Sequence, residues 1–510
     1  MTRRWLPTVL LGLGAAAALG LPALLFGDDS VATMFHDDAY YYATAARHLA
    51  AGHGFTFDGV HATNGFHPFW LLLEAGVFAL TPGDAIALRV IVLLQAALVG
   101  LAAALLWDGL RARVGAAAAL VGALVALALP GAFWVLAGGM ETALALLALV
   151  AVWRAHQTFA AASEPSPRDG AALGLLLALA FLARLELLAA APLVWLSLRR
   201  RPALVQAVVF APVAVVVAAY LAWNRLAFDL WLPVSGAVKS TFVARLPLGR
   251  RLEALLSFPW IGQQAAARLV SEPLASRIGA ALLVALAGLL VWRRRAVAQA
   301  VAHAGVGLPL LACAAVIAGD AILVGSWLSW YQGPIFLATA LALAAALGHA
   351  RRLAPTAAAL LLGLLVVRLP ARVSTFADPV RQWAYAPVVA ARWVRLHTPG
   401  DAVFGSFNGG VVGFFSGRTV VNLDGLANDA HYFRDVLLGR RFDEYLARER
   451  IGWLVDSGCR GSPTPAEDLL RYLQFAGGTA DLSRYQQVFH YTNPTRADGC
   501  PGYAVWKVLP

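Results

Sequence analysis

The chain has 510 residues, of which 60% are hydrophobic and 14% charged, against about 45–50% and about 25% in a soluble globular protein. That balance excludes a large soluble enzyme, a coiled coil and a disordered scaffold, because one water-facing core cannot hide so much apolar surface. The formal net charge of +11 fits either a polyanion binder or a membrane protein whose Lys and Arg collect on cytoplasmic loops; the order of charges along the chain separates the two.

A spanning helix needs roughly 20 mostly apolar residues. Trp5–Gly27 is the first such run, and Arg3 and Arg4 before it place the N-terminus inside. It outruns a signal-peptide apolar region and precedes no small-x-small cleavage site, so it is expected to stay as a span. Apolar runs follow at Ala85–Trp107, Gly115–Gly139, Thr142–Trp153, Ala171–Ala183, Leu187–Leu198, Ala203–Trp223, Ile278–Trp292, Ala304–Trp327, Pro334–Gly348 and Leu353–Val367. Taken alternately, they put Arg111/Arg113, Arg154/Arg168, Arg199–Arg201, Arg293–Arg295 and Arg351/Arg352 on the starting side. The pattern predicts about eleven passes with the C-terminus outside. Much of the positive charge is then a topological signal, and no nucleic acid partner is expected. Ala171–Ala183 and Leu187–Leu198 are short enough to form a hairpin with Arg184 and Glu186 at its tip.

Three segments are expected outside: Asp28–Pro82, Asn224–Arg277 and everything after Arg368. The organisation predicted is a membrane module over residues 1–370, with outer loops at 27–83 and 224–277, and an outer domain over 371–510. That last domain alternates strand patterns (Ala402–Ser406, Thr419–Leu423, Gly452–Asp456, then Gln486–Tyr491 and Tyr503–Val508) with helix patterns (Ala430–Leu438, Phe442–Arg450, Ala466–Phe475), a small α/β layer. Cys313 lies in an apolar run as a small core residue. Cys459 and Cys500 fall in the outer domain, where a disulfide between them is expected.

The first outer loop carries His36-Asp37-Asp38-Ala39-Tyr40-Tyr41-Tyr42, then Arg47, Ala51-Gly52-His53-Gly54-Phe55 and Thr63-Asn64-Gly65-Phe66-His67-Pro68. Adjacent carboxylates at the mouth of a bundle are costly unless bonded or used. One reading has Asp37 capping a helix and Asp38 favouring its dipole. The other has them serve a polyhydroxylated ligand, which the surrounding Tyr, His and Asn residues suit. His53, His61 and His67 lack the spacing of a compact metal-ligand set.

The acidic pair just after the first span resembles the signature of the GT-C glycosyltransferases, polytopic enzymes that transfer a sugar from a polyprenyl-phosphate carrier. AGHGFTFDG (Ala51–Gly59) and TNGFHPFW (Thr63–Trp70) are similar to a bacterial membrane branch of mannosyl- and arabinofuranosyl-transferases, and GGMETAL (Gly138–Leu144), ARLE (Ala183–Glu186), LPVSGAVKS (Leu232–Ser240) and VVNLDGLAN (Val420–Asn428) extend the resemblance over nearly the whole chain. It implies an α-helical polytopic membrane protein of GT-C type with a C-terminal α/β domain on the outer face. The implied activity is inverting glycosyl transfer to an acceptor hydroxyl in cell-envelope glycan assembly, at the plasma membrane, by a monomer without cofactor or metal. The acceptor would be a glycan, glycolipid or protein.

By that resemblance Asp37 is the general base, with Asp38 orienting it or touching the acceptor. Lys239, Arg184 and Arg47 are candidates for the leaving phosphate, although Lys239 also fits a snorkelling lysine, Arg184 an ion pair with Glu186, and Arg47 a partner for Asp38. Glu141 matches the family's second acidic position, or serves as an acid at a helix start. Glu186, Asn64, His67, Tyr41 and Tyr331 are candidates for sugar or acceptor contacts; Tyr331 also suits an interfacial aromatic belt. Asp424 either holds the acceptor or makes an ordinary Asp-Gly turn. Asp320, inside an apolar run, could line the same cavity. A transporter or flippase of lipid-linked sugars is the competing class, though no internal repeat is visible.

Overall fold

The computed structural model describes residues 5–129, 131–244, 247, 288, 291–323, 329–457, 464–494 and 502–509. Cys459 and Cys500, and most of the apolar run Ile278–Trp292, lie outside the described residues. Among the described residues, six helices are long and apolar enough to cross a membrane: Leu6–Leu25, Asp84–Val114, Thr142–Ala161, Ala203–Phe228, Trp330–His349 and Ala354–Ala377. A seventh span is made if Arg294–Ala304 and Gly307–Leu323, bent by 111° at their junction, count as one.

The remaining apolar runs fold as shorter pieces. Gly115–Gly139 divides into helices Ala116–Ala128 and Ala132–Ala137, and the expected hairpin is helix Pro167–Ala183 followed by a 3-10 turn at Leu185–Ala189 and helix Ala190–Leu198. The first outer segment contains an unexpected apolar helix, Pro68–Leu80, whose Trp70, Leu71, Glu74 and Ala75 are buried. Tight backbone contact organises the bundle's start: a Cβ on Gly100 would sit 2.5 Å from the Gly12 carbonyl, so the first span and Asp84–Val114 meet through small residues, the usual device where lipid offers no hydrophobic drive.

The C-terminal region is a five-stranded sheet with β1 Val403–Ser406, β2 Thr419–Asn422, β3 Trp453–Ser457, β4 Tyr485–Tyr491 and β5 Tyr503–Val508, in the order β2-β1-β3-β5-β4. β1 pairs parallel with both β2 and β3, and β5 runs antiparallel between β3 and β4. Alternation decides the faces. Val421, Leu454 and Trp506 pack with Tyr432, Phe442 and Leu473 on one side, while Phe404, Val420, Val455 and Val505 pack with Ala390 and Val394 of helix Tyr385–His397 on the other. Helix Pro465–Ala476 starts where Thr464 Oγ1 accepts the Glu467 amide at 3.3 Å and ends at Gly477, whose φ of +81° suits the left-handed cap.

This domain is seated on the membrane module by backbone-level contacts. The Asp37 carboxylate accepts the amides of Gly410 at 3.2 Å and Val411 at 2.9 Å, at the start of the short helix Gly410–Phe415. Tyr41 Oη accepts the Gly409 amide at 3.2 Å. Arg47 donates to the Phe414 carbonyl at 3.2 Å, lies over the Phe414 ring and pairs with Asp84 at 2.7 Å. Gly410 and Gly65 are both required by proximity, since a Cβ would fall 2.0 Å from the Asp37 carbonyl and 1.9 Å from the Leu426 carbonyl respectively.

Burial pushes the Asp37 carboxyl up to about 7, against the pull of the Val411 and Gly410 amides. A carboxyl raised in the folded state contributes stability that is present below its unfolded pKa and is lost as pH rises through the folded one. Asp37→Asn keeps one acceptor oxygen and does not titrate. The variant is therefore expected to melt below wild type at pH 5, with the gap narrowing by pH 8; a gap that widens with pH would contradict the role given to this carboxylate.

Candidate functional site

Where the membrane module meets the sheet domain there is a cavity of about 510 Å³. Its walls come from the start of helix Asp37–Ala50, the Gly65–His67 loop, Met140–Glu141, Leu185–Glu186, helix Val234–Ala244, Asp320, Trp330–Tyr331 and Leu426.

Helical spacing sorts the first loop. Asp38, Tyr41 and Tyr42 stand at i, i+3 and i+4, so they share a face, and all three line the cavity. Asp37 is turned toward the Gly410 and Val411 amides and is not among the lining residues. Tyr42 Oη accepts the His67 amide at 3.0 Å. Tyr41 Oη donates to Asp424 Oδ2 at 3.3 Å. The helix start is itself gripped: His36 Nε2 bonds the Trp134 carbonyl at 2.9 Å, and its amide donates to the Gly138 carbonyl at 3.1 Å. Burial pushes the His36 pKa down to about 4, so a neutral ring carries its hydrogen on Nε2. Gly139, at φ +87°, leaves no room for a Cβ against Phe35 and Ala39. Gln95 braces the same turn, donating to the Met140 carbonyl at 2.6 Å and accepting the Gly139 amide at 3.1 Å. The GGME stretch thus sets both the acidic pair and Glu141.

Lys239 reaches the cavity from helix Val234–Ala244, one of whose faces also presents Ser235, Gly236 and Ser240. Asn64 fixes that helix and does not line the cavity: its Oδ1 accepts the Val234 amide at 2.9 Å, and its Nδ2 donates to Asn224 Oδ1 at 2.8 Å and the Leu232 carbonyl at 3.3 Å. The Lys239 ammonium donates to Tyr331 Oη at 3.1 Å. Burial alone would lower its pKa, but Tyr331 and Asp38 outweigh that and hold it above the usual lysine value. An ammonium has no lone pair, so the Tyr331 oxygen is the acceptor and its own hydrogen is available to a ligand.

Arg184 is spoken for by acids. It lies 3.0 Å from Glu141, 3.5 Å from Glu186 and 3.9 Å from Asp320, donates to the Trp330 carbonyl at 3.2 Å and covers the Tyr331 ring at 4.6 Å. It is 2% exposed and is absent from the lining, while Glu141, Glu186 and Asp320 line the cavity. The expected Arg184–Glu186 pair exists, but the shorter contact is to Glu141. His67 lines the cavity with Nε2 3.7 Å from Glu141 and Nδ1 accepting the Leu185 amide at 3.4 Å; burial lowers its pKa.

Asp424 sits behind Leu426, whose amide it accepts at 2.7 Å in an Asx turn through Gly425 (φ +81°). Burial pushes this carboxyl up to about 7. Arg47 lies on the domain seam with Asp84 and Phe414 and is not part of the cavity.

The sequence reading missed Gln95, Ser235, Ser240 and Glu74. Glu74 is buried, with neither carboxylate oxygen hydrogen-bonded; an acid inside PFWLLLEAGVFAL was its visible signal. Among the described residues, no three His, Cys, Asp or Glu side chains converge as a metal-ligand group.

Comparison with known proteins bears on the fold. A family model described as a domain of unknown function, DUF8728, matches residues 378–503. The sequence matches no curated protein. In structure the chain is similar to ArnT from Cupriavidus metallidurans bound to undecaprenyl phosphate, at 14% identity and a TM-score of 0.51 over 99% of this chain and 98% of that one. It is similar to the same protein in the apo state at 14% identity and a TM-score of 0.50, over 92% of each chain. A looser likeness, at 14% identity and a TM-score of 0.41 over 96% of this chain and 74% of the other, is to the oligosaccharyltransferase AglB from Archaeoglobus fulgidus in complex with an inhibitory peptide and a dolichol-phosphate. The chain is thus a polytopic helical membrane protein that shares the fold of ArnT and carries a small C-terminal sheet domain.

Proposed function

We propose that the protein is an inverting glycosyltransferase that moves a sugar from a polyprenyl-phosphate carrier to an acceptor hydroxyl. Its place would be the outer face of the plasma membrane, with the N-terminus cytoplasmic, residues 371–510 extracytoplasmic, and cell-envelope glycan assembly as its setting. The observation that carries this reading is that one cavity at the domain seam is lined by both Asp38 and Lys239, a carboxylate to take a proton and a cation to hold a phosphate. The undecaprenyl phosphate bound by the structurally similar ArnT supports the donor class.

In the reaction the acceptor oxygen attacks the anomeric carbon, the bond from that carbon to the phosphate oxygen breaks, and the lipid phosphate leaves with the electron pair. The hydroxyl proton goes to Asp38, acting as general base. We assign the base to Asp38 and a docking role to Asp37, because Asp38 faces the cavity and Asp37 faces the Gly410 and Val411 amides. Lys239 and the Tyr331 hydroxyl, joined at 3.1 Å, are placed to donate to the phosphate oxygens as charge accumulates there. The negative wall around Glu141 stabilises oxocarbenium character at the anomeric carbon. Asn64 positions the Lys239 helix, and Tyr41 with Asp424 holds the seam.

The test is carrier release by purified protein in lipid, with synthetic polyprenyl-phosphate sugars and acceptor extract; release from none of them would end the proposal. Asp38→Asn is expected to lower kcat by roughly 10²- to 10⁴-fold. Asp37→Asn should lower the melting temperature and retain more activity, and the opposite ranking would return the base to Asp37. Lys239→Met removes a charged hydrogen bond and should cost about 10- to 100-fold in kcat/KM for the donor. Tyr331→Phe, which keeps the ring under Arg184, should cost about 2- to 10-fold; an unchanged donor kcat/KM in both would remove the phosphate site from this wall.

A further inference from the structure

The cavity's charge is lopsided. Lys239 and the Tyr331 hydroxyl form one wall, while Glu141, Glu186 and Asp320 meet around Arg184 on another. One guanidinium faces three carboxylates there. Four of their oxygens are buried and accept from no hydroxyl, amide or guanidinium, namely Glu141 Oε2, Glu186 Oε2 and both of Asp320, and the Glu186 and Asp320 carboxyls are in hydrogen-bond contact with each other. Glu141 and Asp320 are each 1% exposed, so the cavity is the route by which a donor reaches them. Buried acceptors without donors are costly, and more so when charged, so this wall suits a ligand that arrives with hydrogens.

We infer that this wall is the sugar-recognition subsite of the proposed transferase, and that it admits a sugar presenting only hydrogen-bond donors there, hydroxyl or ammonium, and rejects one bearing a carboxylate. The inference rests on the transferase reading and adds the substrate class to it. Hydroxyl and ammonium hydrogens both fill orphaned carboxylate oxygens with charge-assisted bonds. A uronate would instead bring another negative charge beside three acids that outnumber the one arginine. Arg184 cannot turn to receive such a group, being held by Glu141 at 3.0 Å, the Trp330 carbonyl at 3.2 Å and the face of Tyr331. The phosphate of the donor is directed instead to Lys239 and the Tyr331 hydroxyl. A divalent ion is a poorer fit to the wall, because its acids spread around the guanidinium and do not converge as a ligand group.

The experiment uses the full-length protein in lipid nanodiscs with undecaprenyl-phosphate donors carrying matched neutral, amino and uronic forms of the same hexoses, together with a neutral pentose. Carrier release is measured with and without EDTA. Neutral or amino donors should be used with kcat/KM at least 100-fold above their uronic counterparts, with no effect of EDTA. Glu186→Gln and Asp320→Asn should each narrow that ratio by at least 10-fold, a readout independent of how much of the variant folds. A larger loss on the amino donor than on the neutral one identifies ammonium as the occupant, and equal losses identify hydroxyl. A uronic donor used as well as the neutral one, or activity abolished by EDTA and restored by a divalent cation, overturns the inference and leaves the transferase reading standing. Release from no donor at all overturns both.

Discussion

The contact on which the arrangement depends is the carboxylate of Asp37 against the first amides of helix Gly410–Phe415. In an open α/β sheet the chain leaves one strand for neighbours on opposite sides at a switch point, and the crevice beyond the strand ends there is where such sheets hold ligands. β1 lies between β2 and β3, so the segment following β1 sits at that point. Its amides face the membrane module's own carboxylate and the Tyr41 hydroxyl. Asp456, at the end of β3, completes the crevice by accepting the amides of Phe407 at 2.6 Å and Asn408 at 3.3 Å. The domain thus spends its natural anion site on a bond to the rest of its own chain.

That bond explains the division of labour within Asp37-Asp38. Successive residues on a helix point about 100° apart, and of the two acids only Asp38 lines the cavity. Anchoring the first turns the second inward, and the tyrosines follow the same rule. Tyr40 bonds the Ala32 carbonyl at 2.6 Å, Tyr41 reaches the sheet domain and Tyr42 the His67 amide. Three identical neighbours therefore brace three different elements, and the helix start is held on all sides while Asp38 remains on the cavity face.

Much of this was legible in the sequence, and the rest failed for definable reasons. The strands at Val403, Thr419, Trp453 and Tyr503 are short, mostly buried runs flanked by Gly, Asp, Asn or Pro, which is local information. Asp38, Glu141, His67, Lys239 and Tyr331 could be singled out because polar groups at the end of an apolar run are costly without a use. Which way a side chain points was not local. Arg47 read as a phosphate ligand or a partner for Asp38 but pairs with Asp84, 37 residues away, and packs on Phe414. Arg184 read as a phosphate ligand but pairs most closely with Glu141, across 43 residues. Helix Pro68–Leu80 was folded into a loop because its 13 residues fall short of the roughly 20 that a span requires.

The two walls of the cavity are coupled through one aromatic ring. Tyr331 has Arg184 over its face at 4.6 Å and Lys239 at its hydroxyl, so a cation serving the acids and a cation facing the open cavity share one side chain. Glu141, Glu186 and Asp320 surround Arg184 and offset its charge, so Lys239 is the cation that lines the cavity. If the three acids were removed, Arg184 would present a second positive charge behind the same ring. A phosphate could then settle at either end, and the sugar's orientation relative to Asp38 would no longer be defined. The surplus of acid in this cavity is therefore compatible with a phosphorylated donor because it confines the attractive potential to one wall.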